Sequence, residues 1–223
     1  MEERYARNIP AISPEEQRLL KEKRVLVAGC GGLGGYLVET LTRLGVGEIT
    51  VVDGDVFEPS NLNRQLLCTL PSLGQSKVLT AKERAQAVNP EVLLHAAEKY
   101  LDVSNAEELT AGQDLVLDAL DSAPARLLLE EACTQSGVVL IHGAVQGWLA
   151  QVAVVPPGSG VLRRLYGERA GSGEKSTLPF TPPFCAAIQG AQAVELLCGR
   201  HSQLESKVLL ADLRQLEWDV LSL

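Results

Sequence analysis

The chain has 223 residues, 46% of them hydrophobic, and a formal net charge of −8. That is enough apolar material for one α/β core with at most a modest appendage, while an acidic balance without clustered Lys and Arg argues against a nucleic-acid surface. The polar start MEERYARNIPAISPEEQ is neither signal peptide nor anchor, and no apolar run reaches membrane-spanning length, so a soluble cytoplasmic protein is expected.

In chain order, Ser13-Pro14-Glu15-Glu16 reads as a helix start, with Ser13 as N-cap, Pro14 at the first helical position and Glu16 closing a capping box; the helix should end near Lys23. Residues 24–29 (RVLVAG) form a β-branched, nearly unbroken apolar run, as a strand buried on both faces requires. Apolar residues at helical spacing follow over 33–44, with Gly45 as C-cap, and 48–53 (EITVVD) is a second strand. The alternation continues with a helix over 77–88, a strand over 92–97, a helix over 105–110 and a strand over 115–119. A helix over 124–136 and a strand over 138–142 complete it. This rhythm predicts a Rossmann-like, doubly wound, mainly parallel sheet with helices on both faces.

After Val155 the pattern breaks. Residues 156–183 are rich in Pro, Gly and Ser, with charges at Arg163, Arg164, Glu168 and Arg169, and read as one long crossover loop. A helix is expected over 184–197, and 207–223 reads as a C-terminal antiparallel hairpin. One domain over 1–223 is expected. Cys30, Cys68, Cys133, Cys185 and Cys198 are scattered and form no Cys-x-x-Cys pair, so they read as reduced thiols, mostly buried, and no zinc site of that kind is expected.

Gly29-Cys30-Gly31-Gly32-Leu33-Gly34 satisfies G-x-G-x-x-G directly after a strand and opens a helix. Such glycines let backbone N–H groups approach phosphates, and the helix N-terminus favours negative charge. Asp53 ends the next strand, where a carboxylate accepts hydrogen bonds from ribose hydroxyls. The fingerprint does not name the nucleotide, and a dehydrogenase would use it too. Of His95, His142 and His201, though, none stands beside a partner that would make it a hydride-transfer base.

Residues 53–65 are more selective. After Asp53 and Asp55 come Asn61, Asn63, Arg64 and Gln65, and then Lys77 opens the following helix. Guanidinium and ammonium groups at a nucleotide's phosphates serve attack at phosphorus, where charge develops on oxygen. Asp118 and Asp121 end another strand at the edge where open α/β sheets bind ligands, and a carboxylate there can hold Mg²⁺ against a triphosphate.

Together GxGGLG, the Asp53-Gly-Asp55 strand end, SNLxRQ, GQxK, the strand-end Asp121 with Arg126 beyond it, and the opening RYARNI resemble the ThiF/MoeB/HesA adenylyltransferases, bacterial relatives of ubiquitin-activating enzymes. The resemblance spans nearly the whole chain. It implies that Gly29, Gly31, Gly32, Gly34, Asp53 and Asp55 line ATP, that Asn61, Arg64 and Lys77 contact phosphates with Gln65 in support, and that Asp121 binds Mg²⁺. It also implies that Arg7 reaches the phosphates of the neighbouring subunit in a homodimer. The reaction implied joins the C-terminal glycine carboxylate of a small ubiquitin-like sulfur carrier, ending in Gly-Gly, to the α-phosphate. Another acceptor, such as a tRNA base or a short peptide, and a nucleotide-binding scaffold are the alternatives; Arg64, Lys77 and Asp121 together argue against a scaffold.

Two departures from the family pattern stand out. The Cys-x-x-Cys pairs of many relatives are missing, the first replaced by VLRRLY at 161–166. The crossover stretch 171–180 also lacks the cysteine that some relatives use covalently, leaving Cys185 just beyond it. A helix N-terminus can activate a thiol, but a packed Cys185 and adenylation without a covalent step, closer to MoeB than to ThiF, is the expectation.

Overall fold

The computed structural model describes residues 3–167 and 176–223. Among them the strands are β1 (Arg24–Ala28), β2 (Glu48–Val52), β3 (Leu93–Ala97), β4 (Leu115–Asp118), β5 (Leu140–Gln146), β6 (Leu149–Val155), β7 (Lys207–Asp212) and β8 (Glu217–Ser222). The helices are α1 (Pro14–Leu20), α2 (Gly34–Leu44), α3 (Lys77–Val88), α4 (Ala106–Thr110), α5 (Ala123–Ser136), α6 (Val161–Tyr166) and α7 (Thr181–Leu197). All strands join one sheet in the order β3-β2-β1-β4-β5-β6-β7-β8. Pairing is parallel from β3 to β5 and antiparallel from β5 to β8.

Alternation along the strands divides the core between two faces. Val25 and Val27 of β1 pack with Leu37 and Leu41 of α2, Ala81 of α3 and Ala186 of α7. Leu26 and Ala28 pack on the other side with Leu129 of α5 and Leu162 of α6. Helices on both faces explain why these strands read as unbroken apolar runs. Each fully buried Val or Leu contributes about 1.5–3 kcal/mol.

Register then sets the site. Ala28 pairs with both Val52 and Asp118, so β1, β2 and β4 end level. Gly29, Asp53 and Ala119 therefore leave the sheet side by side, in the crevice beside central β1 where strand order changes direction.

Local chemistry accounts for the helix ends. The Ser13 capping box is formed: its hydroxyl accepts from Glu16 N, and the Glu16 carboxylate accepts from Ser13 N. Helix α1 stops at Leu20, short of Lys23. The expected loop over 156–183 contains α6, and α7 begins at Thr181, so Pro182 and Pro183 lie in a first turn, which tolerates proline. Strand β5 runs on to Gln146, past the expected end at His142, because β6 supplies a partner along its length. The hairpin expected over 207–223 is β7–β8. Glu168, Arg169 and residues 171–175 lie outside the described residues.

Candidate active site

The glycine loop is a backbone crossing with no room for side chains at two places. Gly29 has φ +95°, and a Cβ there would meet Ala119 O at 2.6 Å; a Cβ on Gly34 would meet Gly29 O at 1.9 Å. Gly31 and Gly32 face the segment expected to reach phosphates: a Cβ on Gly31 would be 3.6 Å from Gln65 Nε2, and one on Gly32 3.9 Å from Arg64 Cγ. Asp53 is half-buried and braces the loop, accepting from Cys30 N at 2.7 Å and Asp55 N at 2.8 Å. Burial pushes the Cys30 thiol far up, and it is no nucleophile.

Lys77 brings its charge to this edge from the first turn of α3. Its side chain is 7% exposed, and Nζ donates to Asp55 Oδ2 at 2.8 Å. The Lys77 hydrogen bond, then that of the Tyr100 hydroxyl, holds the Asp55 carboxyl below its ordinary value. Tyr100 OH donates to Asp55 Oδ1 at 2.7 Å, and its ring lies against Gly54. This tyrosine has no spacing signal of its own, since it reaches the site from beyond β3.

Asn61 is buried and accepts from Glu58 N at 3.1 Å through Oδ1, fixing the turn before Arg64. Arg64 Nη1 donates to Ser60 O and to Asn63 Oδ1, each at 2.9 Å, which leaves the other guanidinium nitrogens for a ligand. Gln65 is buried beside Gly31, and its Oε1 has no hydrogen-bond partner. A buried orphan at a glycine loop is what a bound ligand completes.

At the end of β4, Asp118 is fully buried and Asp121 exposed. His142 Nδ1 lies 2.6 Å from Asp118 Oδ2, and Arg126 Nε 3.7 Å from the same oxygen. The Arg126 guanidinium lies over the Tyr166 ring, 5.3 Å from its centroid. Arg126 thus has an acidic neighbour, and His142, read as lacking the partner that a hydride-transfer base would need, has three: Asp118, Tyr166 and Gln151. Neither His142 nor Tyr166 was legible as a site residue, because β5 and α6 meet β4 only in the folded chain. Arg126 and Tyr166 also wall a cavity of about 340 Å³ against β5–β8, rimmed by Asp212, Glu217 and Asp219.

Arg7 lies elsewhere. It is exposed in the 3-10 turn Glu3–Asn8, whose Tyr5 packs on Gly45 at the far end of α2 from the glycine loop. The eleven residues of α2 separate the two ends by about 16 Å, at 1.5 Å per residue. Cys185 is fully buried inside α7, one turn past its start, with Sγ 3.5 Å from Gln151 O. Burial pushes its thiol up to about 12, so the helix start does not activate it.

A nucleotide triphosphate fits these residues, by the glycine cradle and the cations Arg64 and Lys77. Among the described residues no group of three or more His, Cys, Asp or Glu could hold a metal ion. Mg²⁺ needs no such cage, since it is bound through one or two carboxylates plus phosphates, and exposed Asp121 suits that. No helix of the described residues is long and apolar enough to cross a membrane.

The model of the ThiF family matches residues 5–223. The chain is 35% identical over 218 residues to the SAMP-activating enzyme E1 of Haloferax volcanii, covering 94% of this chain and 81% of that protein. It is also 35% identical over 224 residues to the sulfur carrier protein adenylyltransferase of Thermus thermophilus, covering 94% of this chain and 83% of that one. Among solved structures, E. coli MccB with ATP superposes with a TM-score of 0.84 at 20% identity, over 100% of this chain and 72% of that chain. At that identity the likeness establishes the shared fold.

Proposed function

This chain belongs to the ThiF family, and from that premise we propose that it is an ATP-dependent adenylyltransferase activating the C-terminal glycine of a small ubiquitin-like sulfur carrier. The observation that carries the reading is the gathering of Gly29–Gly34, Asp53, Arg64, buried Lys77 and Asp121 at one sheet edge. The two relatives covering 94% of this chain support it, being named for activating or adenylylating a carrier.

Residue roles follow from chemistry and position. Gly29, Gly31, Gly32 and Gly34 admit the nucleotide to the backbone, and Asp53 and Asp55 take its ribose side. Asn61 and Gln65 hold the turn that presents Arg64, and Arg64 with Lys77 neutralises the phosphates. Asp121 holds Mg²⁺, which when bound offsets triphosphate charge. The carrier carboxylate forms a bond to the α-phosphorus as the bond to the bridging oxygen breaks, releasing pyrophosphate and leaving an acyl-adenylate. Such a step needs positioning and charge neutralisation more than proton transfer. It runs in one cytoplasmic adenylation domain, residues 1–223. Arg7, turned away from its own loop, serves the other site of a homodimer.

The test is exchange of labelled pyrophosphate into ATP with Mg²⁺ and Gly-Gly-terminated carriers. Carrier-dependent exchange is expected, lost by at least about 1,000-fold, roughly 4 kcal/mol, in Arg64→Ala and Asp121→Ala, with circular dichroism unchanged. ATP binding without exchange for any carrier would shift the acceptor to a tRNA base or a peptide, or leave a scaffold. Absent ATP binding would overturn the reading.

A further inference from the structure

Five groups around the end of β4 close a ring of hydrogen bonds. Asp118 Oδ2 meets His142 Nδ1 at 2.6 Å, and His142 Nε2 meets the Tyr166 hydroxyl at 2.9 Å. Arg126 Nη1 donates to that hydroxyl at 3.0 Å, and Arg126 Nη2 donates to Leu120 O at 2.7 Å. Leu120 N donates to Asp118 Oδ1 at 2.8 Å and completes the circuit.

Counting donors fixes the protons. The Tyr166 oxygen already accepts from Arg126 and, at 2.6 Å, from Gln151 Nε2, so its own hydrogen is left for His142 Nε2, which Gln151 Nε2 also approaches at 2.8 Å. His142 then accepts at Nε2 and donates through Nδ1 to Asp118. Both backbone groups of Leu120, the residue immediately before Asp121, are held by ring members. Burial of Asp118 and His142 keeps water from replacing either link.

We propose that His142 and Tyr166 are positioning residues for adenylation, acting through Arg126 and Leu120 to fix where Asp121 stands. This rests on the reading of Asp121 given above. The ring ties β4, β5, α5 and α6 to one peptide, so Asp121 keeps its place only while all four elements are docked. A displacement of about 1 Å at a catalytic group can cost 100-fold in rate, and the ring acts against a displacement of that size.

Tyr166→Phe removes only the hydroxyl. His142→Asn keeps a donor near the Nδ1 position for Asp118 but does not reach Tyr166. In pyrophosphate exchange, each should lower kcat by about 10–100-fold, the range for losing an outer partner of a functional ligand, with the ATP KM within about twofold. The double variant should fall no further than the worse single one, because both break one circuit. Amide hydrogen exchange at Leu120–Ser122 should quicken in both variants, while β1 stays protected. Unchanged kcat with unchanged amide exchange would overturn the proposal, and so would multiplying effects in the double variant. If the wild type shows no pyrophosphate exchange, it is the proposed function that fails. Amide exchange in Tyr166→Phe then decides the ring: faster at Leu120 upholds it, unchanged removes it.

Discussion

Strand β4 is buried at all four positions, whereas β8, at the sheet's far edge, is exposed at all six. Around β4 the sheet is parallel, covered by helices on both faces, and its strand ends carry the glycine loop, Asp53 and Asp121. The antiparallel half leaves Val220, Leu221 and Trp218 partly in solvent, with Trp218 stacked on Phe184 at 5.5 Å. Stability and the proposed nucleotide site thus meet at the covered strands, and the exposed edge strand β8 is free to vary at little cost to either. Leu117→Ala should cost about 2–5 kcal/mol, the range for a buried leucine, and Val220→Ala under about 1 kcal/mol. Urea denaturation with an unchanged slope measures both; equal losses would break the contrast.

The same contrast decides what could be read in advance. β1 and β2 announce themselves as RVLVA and EITVV because two covered faces demand continuous apolar residues. The glycine loop, Asp53 and Asp121 were legible because each sits at the end of such a run. Helix α6 was not: it has six residues, glycines on either side and no side-chain N-cap of its own. Its cap is tertiary, since Glu130 of α5 accepts from Leu162 N at 2.8 Å and Arg163 N at 3.1 Å. β6 also went unread, although its pairing with β5 and β7 makes the turn from parallel to antiparallel. The pairing of His142 with Asp118 depends on strand order, and that of Lys77 with Asp55 on the β2–α3 connection closing at the Val56–Ser76 bridge; no local pattern encodes either.

Cys185 tests the boundary between the halves, because α7 packs across both. Its Sγ also lies 3.8 Å from Ala144 O on β5. With the thiol pushed up to about 12 by burial, almost none of it is ionised near neutrality. Cys185→Ala should therefore keep turnover with carrier within about twofold and lose about 1–2 kcal/mol of stability from the cavity left behind. Loss of turnover with adenylate formation intact would make Cys185 a nucleophile and the α7 packing secondary.

The smallest expected effect lies within the site itself, at the Lys77–Asp55 pair. The Asp55 carboxyl is held below its ordinary value first by Lys77 and then by Tyr100. A lowered folded value means that the carboxylate's contribution is fully present above the unfolded value, about 3.9, and is lost as pH falls through the folded one. The Asp55 side chain is 48% exposed, and screening limits the contribution to about 1 kcal/mol or less, or roughly 2–4 °C in a domain of this size. Asp55→Asn should thus melt a few degrees below the wild type at pH 7. The gap should begin to narrow only below about pH 4 and close once pH falls below the lowered folded value. A gap that does not narrow at all as pH falls below about 4 would mean that the asparagine disturbs the loop by its shape. The stability of the covered half would then depend on the geometry around Tyr100 and not on the charge of the pair.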